Sequence, residues 1–456
     1  MISSANKLAR VTVSSPNASF SPALVQTMEA ALNTNNPLAM RHVAEGAARV
    51  SIALRLTPKT RATITAIAGP CIQRMKAALI EISSSSAMKT GEAAGRLGHA
   101  LGALTSYLGV LKEIIRSKQG EVHVLSDVLA QSWPVLNDIA QSTVCRSNEA
   151  VLSGLLDVHS QLLGVVPALI GPYIQPLIEF VVKAFEETKC PSALCYISNA
   201  VETFDSEPSI SAAAGLDQNG TENLFSQLLS HICIETFAYA TQTARPCDCQ
   251  QLINGLFEMA QRYLLFCPGA LLGCQQFSSL FEFAVLCLTE LKGEVESTRA
   301  VLIFLAQLVG WREVRLGDAK MAKLSQHANS IDNLLARFGE NLTLCCLRAL
   351  AGGAPQSTWP AYSDCLFCIM LQVITSAPSS VADPNSSLNA WLRAAMAEVT
   401  TRHVTQEITA TVIRALLEMI AAEGAKSKQK AKLCLTDFGK IAKGEATSEV
   451  LLAYAA

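Results

Sequence analysis

Charged side chains are scarce in this chain of 456 residues, which carries 36 basic and 38 acidic residues and a formal net charge of −2. Charged residues make up 16% of the chain and hydrophobic residues 50%. A typical globular protein has about one quarter of its residues charged. The composition therefore allows a large buried core and excludes broad disorder. The near balance of charge also excludes a protein that holds nucleic acid through bulk basicity, so no direct nucleic-acid partner is expected.

The chain also lacks secretion and disulfide signals. Its first 15 residues, MISSANKLARVTVSS, contain no apolar core of a signal peptide. The fifteen cysteines form an odd total and follow no disulfide-framework spacing. These features predict reduced, mostly buried thiols in a protein of the cytoplasm or nucleus.

No long apolar run is free of breaks. The three uncharged runs, at 160–178, 263–281 and 365–382, contain prolines or end in polar residues. A membrane-spanning helix needs about 20 mostly apolar residues. Each run is predicted to form an apolar helix followed by a break, and no membrane partner is expected.

Catalytic and metal-binding motifs are missing as well. The seven histidines are scattered, and no HExxH, GxxxxGK[ST] or GxSxG motif occurs. The glycines of GEAAGRLG at 91–98 follow no strand, so they favour a helix N-terminus or tight packing between helices. Cys247 and Cys249, with the pair Cys345 and Cys346, give too few closely spaced thiols for a zinc site. We therefore expect no enzyme, no catalytic or metal site and no cofactor.

Helical periodicity recurs over segments of 12 to 22 residues, as in ENLFSQLLSHICIETFAYA at 222–240. Short breakers separate roughly eighteen or nineteen such segments, which gives one helix pair in about 45 residues, the period of HEAT and armadillo repeats. The sequence predicts an all-α protein, an α-α superhelix (HEAT-repeat solenoid) of about nine or ten antiparallel helix pairs over residues 1–456. The segments 206–220 and 376–387 are expected to be loops between helices. Five prolines are expected in first helical turns, where the missing N–H costs little: Pro134, Pro172, Pro191, Pro268 and Pro360.

The net charge of −2 conceals an uneven distribution along the chain. Residues 1–178 carry a net +5, residues 179–313 a net −9, residues 314–401 no net charge, and residues 402–456 a net +2. An acidic run of repeats could hold a basic peptide on the inner surface of a solenoid, or it could be a solvated outer face. The candidate cargo-binding glutamates are Glu179, Glu186, Glu187, Glu290, Glu294 and Glu296. Six lysines near the C-terminus are interpreted as the solvated face of an amphipathic helix: Lys426, Lys428, Lys430, Lys432, Lys440 and Lys443.

Several segments, in order, resemble the C-terminal half of karyopherins of the importin-β superfamily, in the branch of transportin-SR and importin-thirteen. These include SWPVLNDIAQ at 132–141, PYIQPLIEFVVKAFEETKCPSALCYISNAVETF at 172–204, GEVESTRAVLIFLAQLV at 293–309, and LTLCCLRALAGGAPQSTWPAYSDCLFCIMLQV at 342–373. KAKLCLTDFGKIAKG at 430–444 resembles the terminal helix of that branch. The resemblance implies a HEAT-repeat nuclear transport receptor that shuttles between cytoplasm and nucleus. Its implied partners are protein cargo, nuclear pore proteins and the GTPase Ran.

Two departures from the family pattern modify that expectation. Receptors of this kind are about twice as long, and the N-terminal repeats that bind Ran have no counterpart here. Ran binding is therefore expected only if those repeats are present. In addition, the arginines with which this branch contacts phosphorylated Arg-Ser cargo align with Ile303 and Ala306. Only Arg299, one turn earlier, and Arg312, at the far end, are basic, and Arg299 is the candidate cargo contact. Because phosphate recognition needs clustered arginines, basic cargo is the stronger expectation. The alternatives are a HEAT scaffold or regulatory subunit outside nuclear transport and, third, a polytopic membrane protein.

Overall fold

The structure, a computed structural model, describes residues 20–34, 36–53, 58–84, 87–112, 123–291, 293–383, 385–399 and 403–454. Throughout these residues the regular structure is helical, without a strand. The chain divides into two compact units, Met1–Thr221 and Glu222–Ala456.

The first unit contains eleven described α-helices. They are α1 (Phe20–Leu32), α2 (Pro37–Ala53), α3 (Pro58–Ser84), α4 (Ala87–Lys112), α5 (Ser126–Gln141), α6 (Thr143–Arg146), α7 (Glu149–Val165), α8 (Pro167–Ile170), α9 (Ile174–Thr188), α10 (Pro191–Ser206) and α11 (Pro208–Ala213). Successive helices pack on one another: α4 contacts α2, α3 and α7, and α7 in turn contacts α10. Local sequence explains the helix starts, since Asn148 caps α7 by accepting a hydrogen bond from the Val151 amide (3.1 Å).

The second unit repeats this organisation. Its α-helices are α12 (Gln218–Ala238, which starts just before the boundary), α13 (Gln250–Phe266), α14 (Pro268–Leu272), α15 (Phe277–Glu290), α16 (Val295–Val309), α17 (Asp318–Gln326), α18 (Ala328–Arg348), α19 (Trp359–Ser376), α20 (Ser387–Glu398), α21 (Gln406–Glu423) and α22 (Lys428–Lys443). Helices α13, α16 and α19 lie side by side in one layer, while α15, α18 and α20 form the other. Short 3₁₀ turns occupy Gly171–Tyr173, Pro246–Asp248, Trp311–Glu313, Gln356–Thr358, Pro378–Ser380, Gly424–Ser427 and Ser448–Tyr454, and π-helical turns occupy Tyr239–Thr243 and Ala349–Gly353.

The predicted fold class is confirmed. Among the described residues, 18 α-helices have nine or more residues, in agreement with the eighteen or nineteen predicted. The packing of like helices from successive pairs is that of an α-α superhelix.

Two local predictions were wrong. Pro134 lies in the middle of α5 rather than at a helix start. It is exposed, so the carbonyl one turn earlier can bind water and the helix continues past it. The segment 206–220 is more than a loop, because it contains α11, whose first residue, Pro208, has a φ already set for a helix. The other four prolines lie in first helical turns, as predicted: Pro172, Pro191, Pro268 and Pro360.

The glycines at 91–98 lie inside α4 and not at its N-terminus. Neither role predicted for them applies: a Cβ at Gly91 or Gly95 would meet nothing within 4 Å, and one at Gly98 would make only an ordinary contact with the Ala150 carbonyl oxygen, at 3.7 Å. The nearby breaker SKQG at 117–120 lies outside the described residues.

The apolar runs are broken as predicted. One segment of the described chain, Pro167–Thr188, is long and apolar enough to cross a membrane by length and composition alone. It is divided into α8, the 3₁₀ turn Gly171–Tyr173 and α9. The run at 263–281 is interrupted between α13 and α15, and the run at 365–382 ends with α19 and a 3₁₀ turn.

Candidate functional site

The predicted cargo-binding residues fall into two groups, one in each unit. Glu179, Glu186 and Glu187 lie on the exposed face of α9, whose opposite face buries Ile174, Leu177, Ile178, Val181, Ala184 and Phe185. Glu290, Glu294, Glu296 and Arg299 lie where α15 ends and α16 begins.

On α9, the three glutamates differ in what surrounds them. Glu179 is exposed and accepts a hydrogen bond from Gln175 Nε2 (3.1 Å). Glu187 forms an ion pair with Arg146 Nε (3.1 Å). Lys189, which ends the helix in the left-handed conformation (φ 55°), donates from Nζ to the carbonyl of Glu186 (3.0 Å).

A cavity of about 650 Å³ lies beside Glu187, and its lining includes Arg146, Glu149 and Lys189. Arg146 also donates to the carbonyl of Ala140 (2.9 Å), so this guanidinium holds the end of α5. Two basic and two acidic side chains thus line the cavity, and its charge is balanced. In this part of the acidic segment, the charge of Glu187 is therefore already paired within the protein.

The second group lies at the turn between α15 and α16. Glu290 is the last residue of α15 and is exposed, whereas Glu294 is partly buried just before α16. Glu294 lines a cavity of about 390 Å³ together with Thr298, Arg348 and Tyr362. Thr298 donates to the carbonyl of Leu291 (3.3 Å), which fixes the turn that carries Glu294. Sequence reasoning missed Thr298, Arg348 and Tyr362, because the last two lie more than 50 residues beyond Glu294 and no local motif links them.

Arg299 has a structural role in this group. Its Nη1 pairs with Glu296 Oε1 (3.2 Å) and its Nη2 donates to the carbonyl of Ser357 (2.9 Å). It therefore links α16 to the turn before α19. At the positions aligned with cargo-binding arginines, Ile303 is 40% exposed and Ala306 is buried. Only one of these two positions reaches the surface, and it is apolar.

Several of the C-terminal lysines make contacts within the protein, in addition to forming the solvated face that was predicted for them. Lys428 Nζ lies 2.7 Å from Asp364 Oδ1 on α19, and Lys432 Nζ lies 3.6 Å from the same atom. Lys440 pairs with Asp437 (2.9 Å), and Lys443 lies over the Trp359 ring (4.7 Å to its centroid). Three of the six lysines therefore contact α19, and a fourth pairs within its own helix.

The thiols and histidines were predicted to form no metal site. Within the described residues, no group of three or more His, Cys, Asp or Glu side chains is placed to hold a metal ion. Ten of the fifteen cysteines are buried, which agrees with the predicted mostly buried thiols. Burial raises the pKa of Cys249 to about 11, so its thiolate is scarce at neutral pH.

Two layers of stacked helix pairs define the chain as a HEAT-type solenoid, a class whose repeats present extended surfaces to other proteins. No family model matches the chain, and no curated protein matches it in sequence. Its structure is similar to a solved structure of importin-13 in the cytosolic state, with a TM-score of 0.64 and 16% sequence identity. The match covers 94% of this chain and 44% of that one, so this chain spans less than half of importin-13. The fold is that of an importin-β-like karyopherin.

Proposed function

We propose that the chain acts as a nuclear transport receptor of the karyopherin type, or as part of one, and carries protein cargo with basic segments through the nuclear pore. The observation that supports this proposal is the likeness to importin-13 over 94% of the chain. Nuclear pore proteins are its further partners, and it shuttles between cytoplasm and nucleus.

The surface at the start of α16 is the favoured cargo contact. Glu290 is exposed beside the cavity that Glu294 lines, and Glu296 is exposed on the first turn of the helix. Glu294 and Glu296 lie at the N-terminus of α16, where carboxylates interact favourably with the helix dipole, whereas Glu290 ends α15. A lysine or arginine of the cargo would pair with them, while Arg299 supports the surface from within.

The proposal is tested by binding of a fluorescent arginine- and lysine-rich peptide to the full chain. Replacing Glu290 and Glu294 together by Gln is expected to weaken binding about tenfold, because two charge-assisted contacts are lost. Glu340→Gln, on the exposed face of α18, is the matched control and should bind as the unchanged protein does. Affinity should also fall steeply between 50 mM and 500 mM salt. Equal binding by the double variant and the control would contradict the assigned surface.

Transport itself needs a second assay. The labelled chain is expected to accumulate at the nuclear envelope of permeabilised cells and to carry a basic cargo inside. Binding of GTP-loaded Ran, which we propose only for a chain that also carries the N-terminal repeats of the resembling family, is measured in the same cells. A chain that binds basic peptides but never concentrates at the envelope would instead be a HEAT scaffold outside transport.

A further inference from the structure

Two aromatic side chains meet at the surface of the first unit, where α5 lies beside the turn that precedes α9. Trp133 on α5 is half-buried, and Tyr173 in the turn is 37% exposed. Their ring centroids lie 4.3 Å apart, with an angle of 36° between the ring planes. The two rings therefore contact each other while each keeps part of its surface in solvent.

A buried ring holds this pair in position. His159 on α7 is 3% exposed, and its ring centroid lies 5.9 Å from that of Trp133 and 6.1 Å from that of Phe180 on α9. Trp133 thus contacts a buried ring on one helix as well as Tyr173. The rings are in place before a ligand arrives, which reduces the cost of binding.

Each ring of the pair carries a polar group that the protein leaves unbonded. Within the part of the chain that the structure describes, neither Trp133 Nε1 nor Tyr173 Oη takes part in a hydrogen bond. The indole N–H groups of Trp311 and Trp359 are buried without a partner, but that of Trp133 is not, so a ligand can reach it. Both groups donate hydrogen bonds and therefore favour a ligand that presents acceptors.

Exposed prolines extend the apolar area around the pair. Pro134 directly follows Trp133 on α5, and Pro176 lies about one helical turn after Tyr173. Proline has no flexible side chain, and Trp and Tyr have two χ angles each, so little side-chain entropy is lost when a ligand binds. These four residues form the aromatic surface of the first unit.

The charge beside the aromatic surface is acidic. Neither α5 nor the segment 171–182 contains a lysine or an arginine. Asp138 on α5 and Glu179 on α9 are exposed, and neither forms an ion pair with a described residue. Glu179 accepts one hydrogen bond, from Gln175 Nε2 (3.1 Å), and keeps its charge available. Lys183, one turn further along α9, is exposed and forms no ion pair with Glu179.

We propose that the aromatic surface binds a proline-rich segment of another protein in the polyproline II conformation, with a lysine or arginine beside the prolines. The carbonyls of a polyproline II segment have no internal hydrogen bonds, so they can accept from Trp133 Nε1 and Tyr173 Oη. Proline rings pack on exposed aromatic rings, and surfaces lined by aromatic side chains are used to bind such segments. The basic residue pairs with Asp138 or Glu179, which gives the surface and its ligand opposite charges.

This proposal is independent of the proposed cargo contact. The aromatic surface lies in the first unit, whereas the start of α16 lies in the second. A ligand of the aromatic surface needs prolines, and a ligand of the α16 surface needs only basic charge. Either proposal can therefore fail without the other.

The test measures binding of a fluorescent 12-residue peptide to the full chain by anisotropy. The peptide carries two PxxP repeats followed by two arginines. Three controls have the prolines replaced by alanine, the prolines replaced by phenylalanine, or the arginines replaced by glutamate. The proline peptide is expected to bind at least tenfold more tightly than the alanine peptide and at least threefold more tightly than the other two. Equal binding of the alanine peptide, or equal binding of the phenylalanine peptide, would overturn the proposed ligand.

Variants at the tyrosine locate the site. Tyr173→Ala is expected to weaken binding at least tenfold, whereas Tyr239→Ala, at a half-buried tyrosine of the second unit, leaves it unchanged. Tyr173→Phe keeps the ring and loses only the hydroxyl, so it is expected to weaken binding about threefold. Circular dichroism checks that Tyr173→Ala is folded, and Tyr173→Phe decides if it is not. Absence of binding, or full affinity in Tyr173→Phe together with Tyr173→Ala, would overturn the aromatic surface as the site.

A charge reversal tests the basic residue of the ligand. Glu179→Lys is expected to weaken binding at least threefold, and Glu258→Lys, exposed on α13, leaves it unchanged. The glutamate form of the peptide should lose this dependence on Glu179. Full affinity of the proline peptide for Glu179→Lys, with equal binding of the arginine and glutamate peptides, would overturn the basic character of the ligand.

Discussion

Gly339 is the residue on which the attachment of α20 depends. A Cβ at this position would lie 2.5 Å from the Trp391 ring, and the indole is buried with little room to move. Gly339→Ala gains about 1 kcal/mol of helix propensity but forces the ring out of its site, which typically costs 1–3 kcal/mol. We expect a lower midpoint in thermal unfolding followed by circular dichroism.

Gly46 provides the matched control, because it also lies inside a helix, α2, but a Cβ there would meet nothing within 4 Å. Gly46→Ala is expected to raise the thermal midpoint or leave it unchanged, through propensity alone. If Gly339→Ala behaves in the same way, the contact with Trp391 does not hold α20.

His159 is expected to make the first unit sensitive to acid. It is 3% exposed, its ring lies 5.9 Å from that of Trp133, and its Nδ1 has no hydrogen-bond partner. Burial lowers its pKa from the usual 6.5 to about 4. The unfolded chain therefore binds a proton more readily than the folded one, and stability is lost as the pH falls from about 6.5 towards 4.

Replacing His159 by Leu is expected to remove this loss of stability at acid pH. Between pH 7.5 and pH 5 the unchanged protein should lose roughly 2 kcal/mol more than His159→Leu, as measured by urea unfolding at both pH values. His42→Leu, at an exposed position, is the control and should keep the full pH dependence. A His159→Leu protein with unchanged acid sensitivity would show that His159 is protonated in the folded state.

At the scale of elements, α22 is held on α19 by charge as well as by packing. Asp364 faces Lys428 and Lys432, and these groups are partly exposed. Asp364→Asn leaves two lysines without their acceptor and is expected to reduce stability by about 1 kcal/mol at low salt, and by less in 0.5 M salt. Hydrogen exchange in residues 428–443 should become faster, while Glu340→Gln leaves it unchanged. Exchange equally fast in both variants would contradict the role of Asp364.

How well an element could be predicted depends on how far apart in the sequence its interacting residues lie. Helices such as α9 and α13 follow from apolar residues spaced three and four apart. The starts of α7 and α10 follow from Asn148 and Pro191, because these signals act within one turn. The position of Pro134 within its helix was predicted wrongly. A proline leaves the carbonyl one turn earlier without its helical hydrogen bond, and the exposure of that carbonyl to water decides whether the helix tolerates the proline.

The candidate site was only partly predictable for the same reason. The acidic character of residues 179–313 is visible in the sequence, but which glutamates remain available depends on distant partners. Arg146 neutralises Glu187 from 41 residues away, and Arg299 bonds the backbone of Ser357 across 58 residues.

The molecule as a whole has fifteen cysteines but exposes almost none of their thiol groups to solvent. Ten cysteines are buried, four are partly buried, and Cys195 alone is exposed. A thiol reacts through its thiolate, and burial both blocks the reagent and raises the pKa, to about 12 for Cys71 and Cys434. The stacked helix pairs, which a low content of charged residues permits, thus shield most of the cysteines from solvent. This shielding helps to keep the thiols reduced.

We therefore expect titration with an aromatic disulfide reagent to show one fast thiol in the native protein, Cys195, and about four slow ones. These four are the partly buried Cys247, Cys249, Cys267 and Cys345. In denaturant all fifteen should react at once, since unfolding exposes every thiol and returns its pKa to the usual range. Cys195→Ser should abolish the fast phase and leave the slow phase intact. A fast phase that persists in this variant would mean that helices of one unit open on the time scale of the reaction, because the folded packing leaves no second exposed thiol.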